Sequence, residues 1–439
     1  MAKRIHDKNR LYFTLRWYVD FMFKSAYRKV EYWGKEHIPR DGAIIYAPNH
    51  VNTLMDPLAV LAIDQNAKVF VARADIFRNP LILKFLTFLK MLPIHRKRDG
   101  VATLAKNEEI SDIVVDVLQD GVPFCILPEG THRAMHSLMP LVKGIFRIAL
   151  QANDTFGDKM PVYLVPVGVE YGHFFRYRSS ILVQIGEPIN VTQFVRENSN
   201  MTVPQQIHSL RDNLSQRMKD LILHIKDDLW YLSTFALAQL YGKEQQQSLK
   251  LEKNSLMSRL LAAKKTVQVV NSFLESNPEE TQRLLRLADD FARQREALGI
   301  GIESLFIPHI RSSVTGKFFL LILGLPYFIF SFMATAPVTL LSVFLCSKFE
   351  DKAFHNTVRF LISILLLPLL LLTGCACLFA TLPWMWGVGF VLLFLPSFFY
   401  LHEYLRLWRR FISDIKFLIH RDLRKQFKNI KILTTQLIT

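Results

Sequence analysis

AIIYAPNHVNTLMDPLAVL, residues 43–61, decides how the chain is to be read. Ala43-Ile44-Ile45-Tyr46 is a short apolar run of strand type. Leu58-Ala59-Val60-Leu61 continues in helical fashion behind an Asp-Pro start. Between them lie Asn49-His50 and then Asp56. Strand, polar loop and helix make the repeating unit of an α/β fold, whose ligand groups gather where strands end. His50 can accept a proton near neutral pH, and Asp56 is close enough in sequence to fix its tautomer. The same residues also read as a plain loop and helix start. Asp56 is then the N-cap, with Pro57 at the first helical position, a cap worth ~1 kcal/mol. The two readings are compatible.

The alternation continues on both sides. Strand-like runs fall at 43–47, 68–72, 122–127, 162–169 and 181–185, with helical patterns at 58–63, 81–89, 101–118 and 145–152. This predicts an α/β domain with a mainly parallel sheet over 30–202. Residues 1–29 should form an interfacial helix, aromatic but interrupted by Arg16 and Asp20. From 203 to 315, Gln, Lys, Leu, Glu and Arg dominate at helical spacing, which predicts a helical packing region.

Residues 316–402 are the membrane-embedded part. Two uncharged apolar runs, 318–345 and 360–401, each exceed the ~20 residues a span needs. The basic tail 403–439 and the basic link between the runs should share the cytoplasmic face. Each run must then return to its own side. The longer would turn near Thr381-Leu382-Pro383-Trp384. The shorter would be a re-entrant hairpin broken near Ala334-Thr335-Ala336-Pro337.

The formal net charge of +16 points to anionic partners, and the apolar runs favour lipid phosphate over nucleic acid, for which no motif is present. The four cysteines show neither metal spacing nor a disulfide framework.

Three further stretches carry chemistry. Pro93-Ile94-His95-Arg96-Lys97-Arg98 is either a phosphate clamp or a solvated basic turn. Leu127-Pro128-Glu129-Gly130-Thr131-His132-Arg133, continuing to Lys143-Gly144, leaves a strand and reaches a helix start. An acid, an arginine and a lysine around one loop could grip a phosphorylated alcohol, or simply connect strand to helix. Leu164-Val165-Pro166-Val167-Gly168-Val169-Glu170-Tyr171 alone reads only as a strand.

In this order the four stretches resemble the four motifs of the glycerolipid acyltransferase family, over roughly the first half of the chain. The pattern is most similar to fungal-type glycerol-3-phosphate acyltransferases, which also carry membrane segments after the catalytic domain. The resemblance implies that His50 is a general base oriented by Asp56. It implies that Arg96, Glu129, Gly130, Thr131, Arg133 and Lys143 bind substrate, and that Pro166 marks motif four. It further implies an acyl thioester of coenzyme A or acyl carrier protein as donor, a phosphorylated glycerol as acceptor, and no cofactor or metal. Glycerol 3-phosphate is the expected acceptor and lysophosphatidate the alternative. A membrane-anchored phospholipid-binding protein without turnover is the reading from another class. Two departures stand out. The family usually has four residues between His and Asp, whereas five, 51–55, lie here. His132 also intervenes where the family reads Glu-Gly-Thr-Arg.

Overall fold

The computed structural model describes residues 5–7, 9–95 and 104–438. They divide into two compact units: Met1–His224 with Phe349–Phe360, and Ile225–Lys348 with Leu361–Thr439.

The first unit is built on an eight-stranded sheet. Its strands are β1 (Lys29–Trp33), β2 (Ala43–Pro48), β3 (Val69–Arg73), β4 (Met91–Ile94), β5 (Phe124–Cys125), β6 (Val162–Tyr171), β7 (Ser180–Ile185) and β8 (Ile189–Asn190). Their order is β1-β7-β6-β2-β5-β3-β4, with β8 against β6. Among the described residues, only β6 with β7 and β6 with β8 pair antiparallel. The helices are α1 (Arg10–Ala26), α2 (Met55–Leu61), α3 (Pro80–Phe88), α4 (Leu104–Gln119), α5 (Gly144–Phe156), α6 (Val191–Glu197) and α7 (Val203–Leu221). The predicted α/β class and mainly parallel sheet are thus present.

Apolar residues from strands and helices meet in one core that includes Ile45, Phe124, Phe146 and Leu164. Fully burying such a side chain contributes ~1.5–3 kcal/mol. Leu210, Leu214 and Met218 of α7 are buried in the same core. The boundary expected at 202/203 therefore moves to His224. The helical spacing was read correctly, but an amphipathic stripe does not say which surface it covers.

In α1, Arg16 and Asp20 do not interrupt a lipid face. Both are buried and paired at 2.9 Å. Arg16 also donates to the backbone carbonyls of Leu61, the last residue of α2, and, at 2.8 Å, of Asp64 just beyond it. Charges on one face of α1 thus dock it, while Leu11, Trp17 (68% exposed) and Phe21 remain outside. The ring of Tyr12 meets Phe88 of α3 at 6.2 Å, and α3 likewise exposes Leu81 (76%), Ile82 and Phe85.

The second unit contains α8 (Tyr231–Ser248), α9 (Leu256–Ser276), α10 (Pro278–Ala297), α11 (Ile310–Cys346), the greater part of α12 (Phe354–Thr381), α13 (Trp384–Ile419) and α14 (Arg421–Ile438). Among the described residues three helices, α11, α12 and α13, are long and apolar enough to cross a membrane. The break at Leu382-Pro383 falls where expected. The re-entrant hairpin does not exist: α11 runs unbroken through Pro326 and Pro337. A proline deletes one backbone hydrogen bond, whereas opening a turn in hydrocarbon would orphan several. α11 and α13 pair antiparallel, with Tyr400 and Tyr404 donating to the Gly324 (2.9 Å) and Leu321 (3.0 Å) carbonyls. Lys317 forms an ion pair with the buried Asp414. Nor is 403–439 a free tail. Phe417, Leu423 and Ile430 are buried with Leu284, Leu285 and Phe291 of α10.

Candidate active site

β2 and β5 are adjacent and parallel, so their carboxyl ends open on the same edge of the sheet. His50 lies just past β2, and Glu129 just past β5. Neighbouring strands thus bring together residues 79 positions apart.

His50 Nδ1 lies 2.8 Å from Asp56 Oδ2. Asp56 is 0% exposed, whereas the His50 side chain is 17% exposed. The same Oδ2 accepts the Val51 (2.8 Å) and Asn52 (2.7 Å) amides, and Oδ1 accepts the Tyr171 hydroxyl at 2.6 Å. Burial and the neighbouring Asp56 charge push the Tyr171 phenol well above its usual value, so it stays a donor. An acceptor-only carboxylate with a full set of donors requires His50 to carry its proton on Nδ1. The lone pair of Nε2 is then available for a proton.

Asp56 is not the N-cap. α2 starts at Met55 after Leu54, and the Asp56 side chain bonds backwards to the loop instead of to helix amides. Its place is in the first turn, where a carboxylate also suits the helix dipole.

Glu129 is buried. Oε1 accepts the His50 amide at 2.6 Å and Oε2 the Met139 amide at 2.9 Å. The Arg133 amide donates to the His50 carbonyl at 3.1 Å. Motif three therefore grips the backbone of the motif-one histidine on both sides. In this geometry each Glu129 oxygen accepts a backbone amide, so the carboxylate ties the loop after β5 to the His50 backbone. Gly130 turns the chain at φ +68°, a left-handed conformation that glycine adopts without steric cost. Thr131 is exposed beyond it. Lys143 precedes α5 and faces a cleft of ≈ 520 Å³ with Pro204, Ile207, His208 and Arg211, whose walls include neither His50 nor Asp56. Pro166 lies within β6 opposite Ala47. Arg96 lies outside the described residues.

Residues to which the sequence reading gave no role complete the site. Asn49 exchanges two hydrogen bonds with the Val169 backbone (3.1 and 2.7 Å), tying motif one to β6. Tyr171 ends the fourth stretch, and its hydroxyl was a visible signal beside an apolar strand. His132 sets its ring edge-on to His50 at 5.4 Å between centroids.

Glu129→Gln gives a direct check. The amide sets an N–H₂ against one of the two backbone donors. Losing a charge-assisted hydrogen bond costs ~1.5–3 kcal/mol. We expect kcat to fall roughly ten- to a hundredfold with the acceptor KM little changed; a selective rise in acceptor KM would instead point to a binding role. Burial pushes the Glu129 carboxyl up to about 7, against the pull of the two amides. The folded protein then holds this proton more tightly than the unfolded chain, whose ordinary value is 4.5. That stabilisation is complete below the ordinary value and is lost as pH rises through about 7. The melting temperature should therefore fall between about pH 4.5 and pH 7 and level off above that, and fall less in Glu129→Gln.

Residues 29–170 match the family described as Acyltransferase. A 1-acyl-sn-glycerol-3-phosphate acyltransferase of Cocos nucifera is 27% identical over 191 residues, covering 42% of this chain and 58% of that protein. A protein of the same description from Bacillus subtilis is 23% identical over 198 residues, 44% of this chain and 87% of its own. Glycerol-3-phosphate O-acyltransferase 1 of Saccharomyces cerevisiae is 26% identical over 118 residues, 26% of this chain and 15% of its own. The chain thus spans little more than half of the coconut protein and a small part of the yeast one. Over residues 29–170 the chain is similar to glycerolipid acyltransferases.

Proposed function

We propose that this protein transfers a fatty acyl group from an acyl thioester to a hydroxyl of a phosphorylated glycerol, as a membrane-bound enzyme of phospholipid synthesis. The observation that carries the reading is the 2.8 Å contact of His50 Nδ1 with the buried Asp56 at the carboxyl edge of the sheet. His50 Nε2 takes the proton of the acceptor hydroxyl as its oxygen attacks the thioester carbonyl. The tetrahedral intermediate collapses, the C–S bond breaks, and the proton passes from His50 to the leaving thiolate. Asp56 holds the tautomer and offsets the charge that the imidazole acquires. A positioned base contributes ~10²–10⁴-fold to such a rate.

Glycerol 3-phosphate is the acceptor we favour, on the motif pattern and the yeast relative. Lysophosphatidate is the second reading, favoured by the coconut and Bacillus relatives. Coenzyme A or acyl carrier protein serves as the carrier. The catalytic domain works on the cytoplasmic face, where soluble thioesters are found. Support for a lipid surface comes from α11–α13 and from the exposed apolar residues of α1 and α3. The test is thiol release by the purified protein with each acceptor. A higher kcat/KM for glycerol 3-phosphate is expected; a higher value for lysophosphatidate selects the second reading.

A further inference from the structure

The link between α11 and α12, together with the first two turns of α12, is not a passive connection. Residues Phe349–Phe360 belong to the catalytic unit, although they lie more than a hundred residues beyond its main stretch. Asn356 (2% exposed) donates to the Phe174 carbonyl at 2.7 Å, and so does Asn52 of the motif-one loop. Arg359 donates to the Phe175 carbonyl at 2.9 Å.

Two further contacts fall at the two departures from the family pattern. Thr53 lies inside the lengthened His50–Asp56 loop, at a φ of +35° that is uncommon for a residue with a side chain. Its hydroxyl is 2.6 Å from that of Thr357 and 3.1 Å from the Ala353 carbonyl. His132, the intervening residue of motif three, meets Asp351 at 2.7 Å through Nε2. The His132 ring makes edge-to-face contacts with both Phe354 (5.5 Å) and His50 (5.4 Å).

We propose that this link is a wall of the active site, in which Asp351 is a positioning residue that sets His132 against the ring of the catalytic His50. The inference rests on the acyl-transfer reading of His50. A single hydrogen bond to Asp56 leaves the His50 ring able to tip about that bond. The His132 edge blocks the tip on one side, provided His132 is itself held. Asp351 and Phe354 hold it. Both departures in the motifs serve this docking: Thr53 of the lengthened loop seats the link, and His132 receives it. The residues that steady the base are therefore carried between two apolar helices, and their seating governs turnover.

The test uses the full chain, assayed by acceptor-dependent thiol release. Displacing a reacting group by a fraction of its ring width costs up to roughly a hundredfold. Asp351→Ala is expected to lower kcat roughly ten- to a hundredfold, leaving the KM of the acyl donor within about threefold. Asp351→Asn, which still accepts a hydrogen bond, should recover most of the rate. His132→Ala should reproduce the loss, and the double variant should lose no more, as for groups acting in one chain of contacts. A separate arm reads the docking without turnover. The Thr53→Cys/Thr357→Cys variant should form an intramolecular disulfide under mild oxidation, and neither single variant should. An inactive wild type would refute the acyl-transfer reading, and the crosslink would then decide the docking alone. With an active wild type, an unchanged kcat in Asp351→Ala, or no crosslink, overturns the inference.

Discussion

His50→Ala should lose acceptor-dependent thiol release by ~10²–10⁴-fold or more, with the melting temperature close to wild type. The two halves of that expectation have separate grounds. The loss follows from Nε2 being the free nitrogen of a ring whose other nitrogen faces Asp56. The intact fold follows from what remains: Asp56 keeps the Val51 and Asn52 amides and the Tyr171 hydroxyl. The main-chain clamp from Glu129 and Arg133 uses only backbone atoms of residue 50 and persists in the variant. Wild-type turnover by His50→Ala would remove the general base from the mechanism.

Asp56 should be costly in a different way. Its carboxylate accepts four hydrogen bonds at a site that is 0% exposed. Asp56→Ala leaves two amides and a hydroxyl buried without that acceptor. Each orphaned group costs ~1–3 kcal/mol, and breaking a buried charged network typically destabilises by ~3–5 kcal/mol. This exceeds the ~1 kcal/mol of a lost helix cap, the value the sequence alone suggested. Asp56→Asn separates chemistry from folding. The amide retains the shape and an acceptor oxygen, and the Tyr171 hydroxyl can turn to accept from its N–H₂. Stability should stay near wild type, while kcat falls by roughly 10²–10⁴-fold because the imidazolium loses its counter-charge. Thermal unfolding and thiol release on the two variants check both statements. An active Asp56→Asn would limit Asp56 to a structural role.

The parts of the fold that could be read in advance are those with a strong local period. β2, β3, β6 and β7 are apolar runs bounded by polar loops, and each lies within a residue or two of its expected place. β1 escaped notice, and β4 was read only as a strand end ahead of the basic turn. Lys29–Trp33 is only half-buried and mixes charge with aromatics, while Met91–Ile94 is short and contains Pro93. A proline is tolerated there because β4 is an edge strand. His50 and Asp56 were legible because only five residues lie between them. The role of Glu129 was not: its contact to the His50 amide depends on β2 and β5 being neighbours. Asp351 left no local sign at all, being 219 residues from His132. Proline misled the reading at Pro337, since in an apolar helix one missing bond is a smaller cost than an opened turn.

The central claim is that an acceptor hydroxyl, deprotonated by His50, attacks the thioester directly. Mass spectrometry of the products, with thiol release followed in parallel, tests it most directly. The account predicts one new acyl ester on the phosphorylated glycerol for each thiol released, and no thiol release above background in His50→Ala. Thiol release matched by free fatty acid, or binding of the phosphorylated acceptor with no ester formed, would contradict it.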